Sequence, residues 1–224
     1  MPDQRTSFKE YDAVRGIDVY HHSGPPPDCE RLVEANISFA FVHATTGIHS
    51  SNPNGQYWYD SMAAKGILCG FYHSFKPLND AKSQATWFLS YLGKAKQGHL
   101  PVALEVTTDD QQEPAFLIEG ISVWLSEVEE ILERRPIIFT NVGFWNARMR
   151  GTSKFSEHPL WIADYSSKIE PNIPKGFSDY LIWQFTDSGE IRGAGSNLNL
   201  NLFKGSLKEL HQLTHRQIVG PGKC

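Results

Sequence analysis

The chain has 224 residues, 40% of them hydrophobic and 21% charged, and a formal net charge of −4. That is enough material for one barrel-sized domain or two small ones with an ordinary core. The slight acidity argues against a nucleic-acid partner, which would need a basic face. Cys29, Cys69 and Cys224 stand too far apart for a metal-knuckle spacing, and no motif asks for a metal or cofactor. Residues 1–15 are polar and lack the apolar stretch of a signal peptide, and no run is long enough to span a membrane. The expectation is a protein made in the cytoplasm that would reach any outside target by a non-classical route.

Gly16–Tyr20 reads as a first strand, followed by His21-His22-Ser23-Gly24 and a Pro25-Pro26-Pro27 loop. Asp28 is placed to cap a helix over Cys29–Ala35. Ile37–Ala44 is a second strand, ending at His43-Ala44-Thr45-Thr46-Gly47. The Asn52-Pro53-Asn54-Gly55 turn precedes a helix over Gln56–Lys65, stopped by Gly66. Ile67–His73 is a third strand, and Asn79 or Asp80 caps a helix running to about Tyr91. Val102-Ala103-Leu104 is a short buried strand leading into Glu105. Pro114–Arg135 is the longest helix, with Phe116, Ile121, Leu125, Val128 and Leu132 at helical spacing. Strands follow at Ile137–Thr140, Leu160–Ala163 and Tyr180–Phe185, with a short, polar eighth over Leu198–Phe203 and a closing helix over Leu207–Leu213.

Strand and helix alternate from Gly16 to about Asn146, which implies a parallel sheet. About five βα units followed by three strands with little helix describe an α/β protein, an irregular TIM-like β/α barrel. No linker or repeat divides residues 16–215. They read as one domain between the polar segment 1–15 and a loose tail at 216–224. No glycine-rich nucleotide motif follows the first strand.

A carboxylate at the end of a buried strand is costly unless something compensates it, which singles out Glu105. Strand alternation turns Thr107 the same way. In a barrel, that strand end opens onto the usual active-site face. The bland alternative is a structural ion pair with an Arg or Lys. Polar and aromatic residues recur at the other strand ends: Asp18, Tyr20 and His22, then His43, then Tyr72 and His73. Later come Asn141, Trp161, Asp164, Tyr165, Trp183 and Gln184. Each has a core or structural explanation of its own, but together they suit a carbohydrate site. Sugars offer hydroxyls to polar groups and C–H faces to aromatic rings.

The motifs resemble those of the family-25 glycoside hydrolases, the Chalaropsis-type lysozymes. Gly16-Ile17-Asp18-Val19-Tyr20-His21-His22 is similar to that family's Gly-x-Asp-x-Ser-His-x opening. His43-Ala44-Thr45-Thr46-Gly47 resembles its Lys-Ala-Thr-Glu-Gly segment, and Ala64–His73 its Ala-Gly-x-x-x-Gly-x-Tyr-His segment. Phe139-Thr140 with Phe144-Trp145, Pro159–Tyr165 and Trp183–Thr186 follow in the family's order. The resemblance covers about Gly16–Leu213. It implies an irregular β/α barrel that hydrolyses the β-1,4 bond after N-acetylmuramic acid in peptidoglycan.

The departures bear on activity. The family's fourth strand ends Asp-x-Glu, with the Glu as proton donor; here the register reads Glu105-Val106-Thr107. A threonine hydroxyl cannot serve as a general acid near neutral pH. An acid moved two positions back along a strand lies roughly 6–7 Å away. Val-Asp-Leu-Asn appears as Leu198-Asn199-Leu200-Asn201, and Tyr20, His43 and Thr46 replace Ser, Lys and Glu. The expectation is a lysozyme-like domain that takes peptidoglycan or a chitin-like oligosaccharide, with hydrolysis lost or strongly weakened. Asp18 and Glu105 are the candidate catalytic pair. His22, Tyr72, His73, Thr107, Trp161, Tyr165, Trp183, Gln184 and Asn199 are the candidate substrate-binding residues. Two alternatives stand: an active muramidase using Asp18 and Glu105, or an acid from Asp109 or Asp110 if the loop folds back, and a non-catalytic interaction scaffold.

Overall fold

The computed structural model describes residues 13–20, 28–92, 100–166 and 169–214. His22, most of the polar segment and the expected tail lie outside the described residues. The elements run in the order β1 (Val14–Val19), α1 (Cys29–Glu34), β2 (Ile37–Thr46), β3 (Ser50–Ser51), α2 (Gly55–Ala63), β4 (Leu68–Ser74), α3 (Ala81–Leu92) and β5 (Ala103–Glu105). They continue with α4 (Pro114–Leu132), β6 (Ile137–Asn141), α5 (Val142–Arg148), β7 (Leu160–Ala163), β8 (Ile182–Ile191), β9 (Gly195–Phe203) and α6 (Leu207–Leu213).

Eight of the strands close a barrel in the order β1-β2-β4-β5-β6-β7-β8-β9, with β9 pairing back onto β1. The two-residue β3 folds back against the end of β2. The closed barrel is parallel except for β9, which runs antiparallel to both neighbours. The parallel pairing expected over Gly16 to about Asn146 is present, and the last strand reverses for a simple reason. Only residues 192–194 join β8 to β9, and a parallel crossover needs a dozen residues or more. The last two strands are also longer than the sequence pattern suggested.

Helix ends follow side-chain chemistry. The Asp28 carboxylate accepts from the backbone N–H groups of Glu30 and Arg31 at the start of α1. The Asp80 carboxylate accepts from Ser83 N–H at the start of α3. Asn141 caps α5 through Phe144 N–H, and Ser206 and Glu209 form a capping box on α6. Helix α4 buries Leu117, Ile121, Trp124, Leu125 and Val128. Ile121, Leu125 and Val128 are buried as expected, whereas Phe116 is 75% exposed and its neighbour Leu117 faces the core instead.

Alternation along the strands sorts the apolar residues into two cores. Phe39, Phe41, Tyr72, Phe139, Trp161 and Phe203 fill the barrel interior. Ile17, Val19, Ala40, Val42 and Trp183 pack outward under the helices, where α4 contributes Trp124. The interior is a packed plug, since the Trp161 ring lies 4.7 Å from Phe41 and 4.5 Å from Phe139, centroid to centroid. Two strand glycines make room for it. A Cβ at Gly16 would come within 2.3 Å of the Phe39 ring, and one at Gly70 within 2.6 Å of Phe41. Each glycine is the ladder partner of the ring that it admits.

Candidate active site

Above the Trp161 plug, a cavity of about 900 Å³ opens at the C-terminal ends of the parallel strands. Asp18, Tyr72, Glu105, Thr107, Gln184 and Asn199 all line it, and Tyr165 stands at its side.

Asp18 is 5% exposed and receives three amide N–H groups. Gln184 Nε2 and Asn201 Nδ2 each donate to Oδ1 at 2.8 Å, and Asn199 Nδ2 donates to Oδ2 at 2.7 Å. The ladder explains the convergence: Asn199 is the partner of Asp18 across β1 and β9, and Asn201 the partner of Gln184 across β8 and β9. Two of the three amides are themselves oriented. The Tyr165 hydroxyl donates to Gln184 Oε1 at 2.5 Å, and Trp161 Nε1–H donates to Asn201 Oδ1 at 2.8 Å. With its oxygen held by a donor, each amide is left to present its NH₂ to Asp18. Burial raises the Asp18 carboxyl to about 6 despite the opposing pull of Asn201, Asn199 and Gln184, and Glu105 adds to the rise.

Glu105 ends β5 beside Ser74, its ladder partner on β4. Ser74 Oγ donates to Oε2 at 2.5 Å, and Thr107 Oγ1 donates to Oε1 at 3.2 Å. Burial raises its pKa, opposed by these two hydroxyls and then by the charge of Lys76. No Arg or Lys makes an ion pair with it among the described residues, so the structural ion pair weighed as an alternative is not the arrangement found. Asp109 and Asp110 are not among the residues that line the cavity. Asp109 pairs with Arg148 and caps Gln111 N–H, and Asp110 accepts from the Thr108 hydroxyl.

Three of the expected substrate-binding residues are elsewhere. His73 lies on the outer side of β4, with Nδ1 bonded to Thr45 Oγ1 at 2.7 Å and Nε2 to Gln84 Oε1 at 3.2 Å. Its ring stacks on Trp124, and burial lowers its pKa to about 4. Tyr72 and His73 are adjacent in one strand, so alternation allows only one to face the cavity. Trp183 likewise points outward while Gln184 points inward, and its Nε1–H donates to Asp164 O at 2.8 Å. Trp161 is a buried plug that orients Asn201, not a platform for sugar rings.

The sequence reading missed Asn201 as a holder of Asp18, Ser74 as the partner of Glu105, and Lys76 in the lining. The alternation Asn199-x-Asn201 opposite Asp18 was a usable signal for the first. Asp164, an expected strand-end carboxylate, ties down the neighbouring loop. It accepts from Ser166 N–H and Oγ–H and from Asn172 N–H and Nδ2–H, and these bonds overcome desolvation to lower its pKa.

Residues 17–194 match the model of the glycosyl hydrolases family 25. The uncharacterized protein YegX of Escherichia coli (strain K12) is 30% identical over 202 residues, 88% of this chain and 72% of that protein. Lysozyme M1 of Streptomyces globisporus is 25% identical over 228 residues, 96% of this chain and 76% of that protein. The crystal structure of a bacterial lysozyme from Streptomyces coelicolor superposes with a TM-score of 0.84 at 24% identity, covering 91% of this chain and 97% of that one.

Proposed function

The chain belongs to the glycosyl hydrolases family 25, and from that premise we propose that its cavity takes peptidoglycan or a related β-1,4-linked amino-sugar glycan with hydrolysis lost or strongly weakened. Glycoside hydrolysis needs one carboxyl to protonate the leaving oxygen and another to act on the opposite side of the sugar. One observation carries the reading of weak turnover. Where the family resemblance puts the acid, the structure has the Thr107 hydroxyl, already donated to Glu105. A neutral hydroxyl there forfeits the general-acid contribution, typically 10²–10⁴-fold. Asp18 keeps three N–H donors, which suits an ionised carboxylate that stabilises positive charge on a sugar ring. The open cavity with its phenolic and amide groups supports retained glycan binding.

The runner-up is an active muramidase in which Glu105 is the acid. Burial raises both carboxyl pKa values, and an acid working near neutral pH requires such a rise. Incubation with purified peptidoglycan separates the two, read both as protein retained on the sacculi and as reducing ends released. Retention with little or no release is the expected result. Robust release abolished by Glu105→Gln would promote the runner-up, and neither retention nor release would favour a scaffold.

A further inference from the structure

We propose that Lys76 makes this cavity selective for glycan strands whose muramic lactyl carboxylate is free, so that bare muramic strands bind better than chitin-like strands or strands with amidated lactyl groups. The inference rests on the glycan reading above and narrows its substrate class.

Lys76 is the one cationic residue among the described residues that line the cavity. It sits on the loop after β4, half-buried, and no carboxylate lies within ion-pair distance of its ammonium among the described residues. Its stem lies along Gly47, where an added Cβ would sit 3.4 Å from Lys76 Cγ. The loop beneath it is held from below. The fully buried Gln84 accepts from Lys76 N–H at 2.9 Å and donates to Lys76 O at 3.0 Å and to Asn79 O at 3.2 Å. Phe75 N–H donates to Glu105 O at 3.0 Å, and Pro77 restricts the backbone of the residue before it. The ammonium therefore hangs from a fixed backbone, which reduces the ordering cost of using it.

Three of the four acids that line the cavity are already engaged, and the fourth, Asp187, is exposed and not ion-paired with Lys76. Asp18 takes three amide donors, Asp164 takes four donors, and Glu105 takes two hydroxyls. Three ammonium N–H donors are left to find acceptors on a ligand. A carboxylate is the strongest such acceptor that a glycan can bring. In an amino-sugar polymer that group is the lactyl acid of muramic residues. It is ionised on bare strands, amidated where a peptide stem is attached, and absent from chitin. Hydrolysis of the lactyl amide by water frees the carboxylate and the amino group of the stem. An amidase-type reaction would therefore supply the preferred ligand.

The test is calorimetric titration at low salt with three probes: peptide-free peptidoglycan strands, the same strands with their carboxyls converted to methylamides, and chitotetraose. The wild type should bind the free-acid strands about tenfold or more tightly than the methylamides, the range of one charge-assisted hydrogen bond. Lys76→Gln should erase that difference with little effect on methylamide binding, and Lys76→Arg should keep most of it. A thermal melt of each variant checks folding. If Lys76 acts only by tuning Glu105, Lys76→Gln will change the affinity for all three probes alike, and the inference fails while the glycan reading stands. Equal binding of free-acid and methylamide strands by the wild type has the same meaning. Failure of all three probes to bind would overturn the glycan reading itself, and this inference with it.

Discussion

A carboxylate that accepts three amide N–H bonds favours its ionised form, whereas burial favours the neutral one, and in Asp18 burial has the larger effect, giving a pKa of about 6. Carboxyl-resolved NMR should therefore find one aspartate titrating about two units above its ordinary value. Asn199→Asp replaces a donor by a second carboxyl at 2.7 Å, so the titration should split into two coupled steps, the upper one above 6. An unchanged single step would show that Asn199 does not govern the charge of Asp18. Trp161→Phe tests the buried relay. It leaves Asn201 Oδ1 without its 2.8 Å donor, which should cost about 1–3 kcal/mol in urea unfolding and raise the Asp18 pKa as the amide is freed. Stability within 0.5 kcal/mol of wild type, as for an ordinary surface change, would count against the relay. At this scale the sequence was partly legible. Asp18 and Glu105 stood out as carboxylates at strand ends. Gln184 and Asn199, expected as ligands for sugar, line the cavity and also hold Asp18. The second role comes from strand pairing, which places them against a carboxylate 166 and 181 residues away, a partnership that no local pattern encodes.

The strands and helices themselves were read well where period and caps agree. Val102-Ala103-Leu104, the Asp28 cap and the Leu207–Leu213 helix all lie within a residue or two of their expected places. The errors have physical causes. His73 and Trp183 were assigned to the cavity on residue type, while the two-residue period puts each on the opposite side from its neighbour Tyr72 or Gln184. A polar strand of alternating Asn and Leu carries no sign of its direction, so the sequence reading gave β9 none; only the short connection at 192–194 sets it. The same ladder gives an element-level prediction. Gly16→Ala would drive a methyl into the Phe39 ring from the adjacent strand. Overpacking of this kind costs about 1–3 kcal/mol, so the midpoint of thermal unfolding should fall measurably. Replacing Phe39 with Leu in the same chain should recover part of the loss. No loss for Gly16→Ala would mean that the barrel interior yields where the structure shows it filled.

Across the whole molecule, two buried groups pull the pH dependence of stability in opposite directions. Asp18 has a folded pKa of about 6 against an ordinary 3.8, so the folded state holds this proton more tightly. Its contribution is fully present below about 4 and is lost as pH rises through about 6. His73 is lowered from 6.5 to about 4, so its contribution is present above 6.5 and is lost as pH falls. Asp18→Asn removes only the first effect. The stability of wild type relative to Asp18→Asn should therefore be greater at pH 4 than at pH 7, by on the order of 2–3 kcal/mol from a two-unit shift. Urea midpoints of both proteins across that range will show it, and a gap independent of pH would contradict the burial of Asp18. The family-25 barrel is thus retained, with the Thr107 hydroxyl bonded to Glu105 and Asn199 bonded to Asp18. The most direct measurement is reducing-end release from purified peptidoglycan by wild type and by a variant combining Thr107→Glu, Glu105→Asp and Asn199→Asp. Wild type should release little or nothing. The triple variant should release more, and adding Asp18→Asn should abolish the gain. Robust release by wild type that survives Asp18→Asn would contradict the account.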